Sequence, residues 1–307
     1  MKQIIVTGGA GFLGSHIVDR LRELGYIDVF VPLSSEFDLR NPDKVRAMYY
    51  TYKPNIVINP AAKCGGIGWN QANPAISLYD NLTIGLNLME EGRKNGLEKF
   101  VQLGSVCGYP GIVPFPTPET SLWDGYPEPT NASYGIAKRT LIATCQAYRR
   151  QYGLNAISVL PTNLYGPRDR FGPTVSHVVP AMIRKFVDAK NRGADAVTFW
   201  GLGHATREFI YVTDCAEAVV KAMEVYNKPE PLNLGSGEEI RIVDLAAAIR
   251  NAVGFEGAIV WDSSKPDGQQ RRLFDCTRAK EELGFSPKVM LQEGLKKTVD
   301  WYIRARA

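Results

Sequence analysis

Ser105 and Cys107 stand two residues apart at the end of an apolar run, followed by Tyr134, by Lys138 four residues later, and by His177, one of only three histidines. A Ser, a Tyr and a Lys together can hold and protonate a carbonyl oxygen during hydride transfer. Tyr134 and Lys138 at i, i+4 share one helix face, and a nearby ammonium favours the phenolate. A Cys and a His on the same substrate could move protons on the carbons beside that carbonyl. If the chain stays extended past Ser105, Cys107 projects to the same side as Ser105 and Val106 to the other. Each residue alone has a plainer reading: a turn for Ser105, a small buried hydrophobe for Cys107, a helix start for His177.

The elements that must position this set alternate. Gln3–Thr7 reads as a strand buried on both faces, followed by a helix from about Phe12 to Leu24 that Gly25 ends. Strands follow at Ile27–Val31, Ile56–Asn59, Phe100–Leu103 and Ala156–Leu160, with helices at Val45–Tyr52, Ile76–Asn95 and from a Thr130 or Asn131 cap to about Tyr152. This alternation predicts an α/β fold with a doubly wound parallel sheet of the Rossmann type. Ser105 then lies at a strand's carboxyl end, where open α/β sheets place their ligands.

Between them, Thr7-Gly8-Gly9-Ala10-Gly11-Phe12-Leu13-Gly14 joins the first strand to the first helix. Glycines there allow a tight turn and close approach of backbone amides to a dinucleotide pyrophosphate. At the end of strand two an acid would bind the ribose hydroxyl of NAD, but the chain has Pro32-Leu33-Ser34-Ser35. Ser34 and Ser35 could donate to a 2′-phosphate, so the reading leans to NADP(H), with NAD(H) left open.

Beyond residue 165 the pattern changes. Residues 165–207 are rich in Gly, Pro and Arg around one helix near Val178–Lys190. Phe209–Val212, a helix after Asp214, and Leu232–Leu234 read as a return to the sheet, and mixed elements follow from Arg241. We therefore expect a nucleotide-binding domain of residues 1–164 plus about 209–236. A smaller C-terminal α/β substrate lobe would comprise about 165–208 and 237–307.

Bulk properties set limits. A hydrophobic share of 45% with 22% charged residues is ordinary for a globular protein, and a net charge of +4 does not suggest a nucleic-acid surface. The five cysteines show no metal-binding spacing, so no metal is expected and the thiols read as reduced. A strand beginning at residue 3 and no apolar run near 18 residues point to a cytoplasmic protein without a membrane span.

Several longer stretches carry a resemblance: Ala61-Ala62-Lys63-Cys64-Gly65-Gly66-Ile67, Leu103-Gly104-Ser105-Val106-Cys107, and Glu128-Pro129-Thr130-Asn131 before Tyr134. Pro161-Thr162-Asn163-Leu164-Tyr165-Gly166-Pro167, Ser176-His177-Val178, Arg207-Glu208-Phe209 and Ser264-Lys265-Pro266-Asp267-Gly268 continue it. On these residues the chain resembles, nearly end to end, the GDP-L-fucose synthase family of extended short-chain dehydrogenase/reductases. The resemblance implies NADPH-dependent 3,5-epimerisation and 4-reduction of GDP-4-keto-6-deoxy-D-mannose. It assigns hydride-transfer chemistry to Ser105, Tyr134 and Lys138, the epimerisation base to Cys107 and its acid to His177. Cofactor contacts would come from Gly8, Gly9, Ala10, Gly11, Phe12, Leu13, Gly14, Ser34, Ser35, Asp38, Leu39, Ala62 and Leu103 to Val106. Tyr134, Lys138, Pro161, Thr162, Asn163, Leu164 and His177 complete that set. Contacts to the GDP-sugar would come from Asn163, Lys185, Trp200, Arg207, Asp267 and Arg272. The family also implies a homodimer built on the helix carrying Tyr134 and the one near Ile76–Asn95.

Three departures stand out: Val106 replaces a usual second Ser, no Arg stands near Ser34, and Gly68-Trp69-Asn70-Gln71 is unusual, leaving sugar selectivity open there. Alternatives are a 4-reductase or epimerase/reductase of another nucleotide sugar, as in GDP-L-colitose synthesis. A non-catalytic dinucleotide sensor fits less well, because both Tyr134 and Lys138 are present.

Overall fold

The computed structural model describes residues 2–173, 176–264 and 269–306. Six strands form one parallel sheet: β1 (Ile4–Val6), β2 (Val29–Phe30), β3 (Ile56–Asn59), β4 (Lys99–Leu103), β5 (Asn155–Pro161) and β9 (Leu232–Leu234). Their spatial order is β2-β1-β3-β4-β5-β9. The order reverses between β1 and β3, which opens a crevice at the carboxyl ends of those strands.

Strand side chains alternate between two cores. Ile4, Val6, Ile58, Val101 and Val159 pack beneath α1 (Phe12–Glu23), α7 (Val212–Val225) and α9 (Thr277–Leu283). Ile5, Val57, Phe100 and Ala156 face the opposite layer of α2 (Pro42–Tyr52), α4 (Pro74–Lys94) and α5 (Ala132–Tyr152). A side chain buried this way contributes about 1.5–3 kcal/mol by leaving water. Because both faces are covered, the strands read as continuous apolar runs rather than alternating ones. A short helix, α3 (Ile67–Ala72), precedes α4.

The helix ends follow local chemistry. Asn41 caps α2 by accepting from the Asp43 and Lys44 amides, with Pro42 in the first turn. Gly153 ends α5 at φ 69°, a left-handed conformation that costs glycine little.

The rest of the chain builds two small sheets. β6 (Asn163–Tyr165), β8 (Thr206–Tyr211) and β10 (Glu239–Arg241) pair in the order β10-β8-β6, while β7 (Ala196–Trp200) pairs parallel with β11 (Ala258–Asp262). Helices α6 (Val178–Asn191), α8 (Ile242–Val253) and α10 (Leu291–Arg304) bury Ile183, Phe186, Leu245, Ile249 and Leu295 with Phe199 and Phe209 in a third core.

Four expectations need correction. The stretch Phe209–Val212 does not rejoin the main sheet: its residues through Tyr211 lie in β8, which pairs with β6 and β10, and only Leu232–Leu234 returns. The helix expected over Ile76–Asn95 starts at Pro74, with α3 before it. Strand two is shorter than Ile27–Val31. Asn131 occupies the α5 cap position without a side-chain capping bond, since a 3-10 turn at Pro129–Asn131 leads into the helix.

Candidate active site

The glycine loop forms the floor of the crevice. Gly9 N donates to Val6 O at 3.1 Å and Gly11 N to Gly8 O at 2.9 Å, folding the chain tightly between β1 and α1. A β carbon on Gly14 would lie 2.1 Å from the Gly8 carbonyl, so that approach requires glycine. Gly11 provides no side-chain cap, which leaves the first amides of α1 available to an anion. These features fit a dinucleotide pyrophosphate. Ala10, Phe12 and Leu13 lie in the same loop and first turn, with Ala62 beyond β3. Beneath them a buried polar chain runs from Thr7 Oγ1 to Asn59 Oδ1 (2.7 Å), Asn59 Nδ2 to Gln102 Oε1 (3.0 Å) and Gln102 Nε2 to Leu103 O (2.8 Å).

Ser34 and Ser35 are exposed beyond β2, in the segment that continues to Asp38 and Leu39. Arg40 donates to both Asp38 oxygens and to Asp80, and holds the Asp38 carboxyl down to about 2. The ammonium of Lys63 acts on Asp38 in the same direction, which brings a cation from the β3 loop towards this segment.

The catalytic candidates meet where β4 ends. Ser105 is extended (φ −162°, ψ 149°), and its Oγ then accepts from Cys107 N at 3.2 Å, starting a 3-10 turn over Val106–Gly108. Cys107 is therefore delivered by a tight turn and not by continued strand, contrary to the extended geometry expected from sequence. The turn is fixed by α5: Arg139 donates to the carbonyls of Gly108 and Gly125, and Gly135 packs directly on Cys107 O.

Tyr134 and Lys138 project from α5 into the same place. Ser105 and the thiols of Cys64 and Cys107 lie near enough to the Tyr134 hydroxyl to act on its titration. Burial pushes this phenol well above its ordinary range, so it is held protonated and not as the phenolate that its spacing from Lys138 favours. Lys138 Nζ donates to Leu103 O at 3.0 Å and lies 5.7 Å from the centre of the Tyr134 ring. Burial lowers its pKa to about 8. Cys64, to which sequence reading gave no role, thus belongs to the cluster, and burial raises its thiol to about 11.

His177 occupies the cap position of α6, opposite the Cys64–Gly66 loop. A β carbon on Gly66 would sit 3.1 Å from Ser176 O, which shows how closely the two segments approach. Burial lowers the His177 pKa, and the charge of Arg170 acts the same way. Arg170 also donates to Cys64 O at 3.3 Å, linking the two loops.

The proposed substrate contacts divide. Arg272 Nη1 lies 3.9 Å from Cys107 Sγ, with its Nε held by Gln269 Oε1 at 2.7 Å, so this residue joins the catalytic cluster. Lys185 donates to Thr198 O at 3.0 Å and lies over the Phe199 ring, while Trp200 at the end of β7 is 67% exposed and open to stacking. Arg207 Nη1 donates to Thr206 O at 2.7 Å. Asn163 Nδ2 donates to Glu208 O at 2.8 Å, between Pro161–Thr162 and Leu164 at the β5–β6 junction. Asp267 lies outside the described residues.

Two positioning residues were not legible from sequence. Glu208 is fully buried and accepts from the amides of Gly237 (2.7 Å) and Phe274 (3.0 Å), fixing the segment that carries Arg272. Asn233 on β9 binds Tyr109 OH (2.6 Å), Thr117 O and Asp275 O. Only the Arg207-Glu208-Phe209 stretch had signalled either. Among the described residues no cluster of His, Cys, Asp or Glu is arranged to hold a metal, and no helix is long and apolar enough to cross a membrane.

Residues 4–235 match the model of the NAD dependent epimerase/dehydratase family. The chain is 44% identical to GDP-L-fucose synthase 1 of Arabidopsis thaliana over 98% of its own length and 93% of that protein. It is 45% identical to a probable GDP-L-fucose synthase 1 of Oryza sativa subsp. japonica, over 98% and 92%. The crystal structure of a GDP-L-fucose synthetase from Naegleria fowleri bound to NADP superposes with a TM-score of 0.91 at 27% identity, covering 99% of this chain and 95% of that one.

Proposed function

Because the chain belongs to the NAD dependent epimerase/dehydratase family, and within it to the group of the GDP-L-fucose synthases, we propose that it converts GDP-4-keto-6-deoxy-D-mannose to GDP-L-fucose with NADPH. The observation that carries the reading is the convergence of Ser105, Tyr134 and Lys138 with Cys107 and its turn beside a dinucleotide loop. The glycine loop and the Ser34–Leu39 segment would hold NADPH, which when bound would supply the hydride for C4.

The residues then divide the work. Protons on C3 and C5 are acidic only while C4 is a ketone, because the enolate charge rests on that oxygen. Ser105 and the protonated Tyr134 donate hydrogen bonds to it. Cys107 removes the neighbouring protons, and His177 returns protons on the opposite face. When C4 is reduced, Tyr134 protonates the alkoxide while Lys138 supplies positive charge beside the phenol. Reduction ends epimerisation, since the ketone is gone. Lys185, Arg207 and Arg272 supply cations for the GDP-sugar pyrophosphate, Trp200 a stacking surface, and Asn163 and Asp267 polar contacts.

We assign residues 1–164 with the α7 and β9 part of 209–236 to cofactor binding, and the remainder, β8 included, to the sugar-nucleotide lobe. Exposed Ile76, Tyr79 and Leu86 on α4, which packs along α5, support a homodimer through these helices. Five free thiols suit a reducing cytoplasm. The test is product identification by NMR after incubation with GDP-4-keto-6-deoxy-D-mannose and NADPH. GDP-L-fucose is expected; a product with unchanged C3 and C5 would leave only a 4-reductase.

A further inference from the structure

Cys107 and Arg272 are brought together by two segments that lock onto each other just beyond them. Tyr109 closes the turn that carries Cys107, and its ring packs against Phe274 with centroids 5.1 Å apart. Phe274 is buried and held beside Thr117: Thr117 N donates to Leu273 O at 2.8 Å, and Asp275 N to Thr117 O at 2.9 Å. The guanidinium is aimed separately. Its Nε donates to Gln269 Oε1 at 2.7 Å, while Gln269 Nε2 is anchored on Gly111 O at 3.3 Å. Arg272 Nη1 then donates to Cys107 Sγ across 3.9 Å. Among the described residues the guanidinium meets Gln269 and Cys107 and no carboxylate, so its charge is directed at the thiol.

That direction matters for the chemistry assigned to Cys107. When its sulfur removes a proton from C3 or C5, the C–H bond breaks, an S–H bond forms, and the carbon's electron pair passes to the C4 oxygen. The sulfur must start as a thiolate, and must shed its proton to solvent to become one again before the second carbon reacts. A cation beside a thiol favours that form. The other groups around Cys107 do not supply it. Tyr134 is held protonated and neutral, and burial raises the Cys64 thiol to about 11. Lys138 turns its ammonium to Leu103 O, Arg170 is engaged on Cys64 O, and burial pushes His177 towards its neutral form. We propose that the guanidinium of Arg272 holds Cys107 as a thiolate and so makes it a base. Arg272 acts here through Cys107, as a positioning residue, before any pyrophosphate is bound. Its charge persists across the working pH range, unlike that of a lysine or histidine. The proposal rests on the function given above, in which Cys107 removes the protons.

The test is the pH dependence of Cys107 alkylation by iodoacetamide without substrate, read by peptide mass spectrometry so that Cys64 is counted apart. The thiolate is the form that reacts. Arg272→Gln should move the alkylation midpoint up by about one pH unit or more, slowing the reaction at pH 7 by about tenfold. Arg272→Lys, which keeps a positive charge, should restore most of the wild-type midpoint. The rise of deuterium exchange at C3 and C5 with pH should move in the same direction as alkylation. Thermal melting reports whether each variant is folded. If Arg272→Gln is not, Gln269→Leu removes the oxygen that aims the guanidinium and should still raise the midpoint. An unchanged midpoint in whichever variant folds would confine Arg272 to binding the sugar nucleotide. An equal shift in Arg272→Lys and Arg272→Gln would mark a packing effect and not a charge; both results overturn the proposal. Because alkylation needs no sugar, wild-type protein that gives no epimerised product would instead overturn the function on which the proposal rests.

Discussion

Gly135 and the carbonyl of Cys107 are packed so closely that a β carbon on Gly135 would stand 2.1 Å from that oxygen. The helix carrying Tyr134 and the turn carrying Cys107 thus form one unit, and the two proposed chemistries cannot shift independently. Gly135→Ala should push the turn away from α5, at a cost of about 1–3 kcal/mol for overpacking. We expect a melting temperature lower by several degrees and a joint loss of C3/C5 exchange and NADPH oxidation. Loss of one activity with the other intact would show that helix and turn are not coupled.

A second prediction follows from burial of Lys138. Its pKa is lowered to about 8, so the ammonium is present at pH 7 and is lost as pH rises through 8. Tyr134 shifts the other way and stays protonated over that range. NADPH-dependent reduction should therefore fall by roughly tenfold per pH unit well above 8, the dependence expected for one required proton. A kcat/KM profile flat to pH 9.5 would remove the charge of Lys138 from the reductive step.

Asp169 gives a stability prediction. It is buried, its Oδ2 has no partner, and burial raises its pKa to about 7. The folded state thus binds a proton that the unfolded state, near 3.8, has released, and stability falls as pH rises across that window. Asp169→Asn removes the buried charge while keeping the shape. Its melting temperature should exceed that of the wild type at pH 8, with a smaller gain at pH 5. An equal gain at both values would mean that the carboxyl does not titrate in this way.

Much of the framework was legible because it depends on near neighbours in the chain. Gly8 to Gly14 between a strand and a helix, Tyr134 and Lys138 at one helical turn, and Ser105 at a strand end are local patterns. What escaped depends on distant segments. The 3-10 turn at Val106–Gly108 is set by Gly135 and Arg139 on α5, so extrapolating the strand misplaced Cys107. Arg272 reaches Cys107 from 165 positions away, guided by buried Glu208, and no local periodicity announces that contact. Cys64 looked like one thiol among five until its loop folded onto Tyr134. Strand β8 carried the apolar pattern of a sheet strand, but that pattern does not specify which sheet it joins.

At the centre of the site, labour is divided around one oxygen: Ser105 and Tyr134 hold it, while Cys107 moves the protons beside it. The most direct measurement incubates Cys107→Ala with GDP-4-keto-6-deoxy-D-mannose in deuterated water and follows deuterium entering C3 and C5, alongside NADPH oxidation in a parallel reaction. We expect deuterium entry to be lost while NADPH is still consumed to give a reduced, unepimerised sugar. Undiminished deuterium at both carbons would contradict this division.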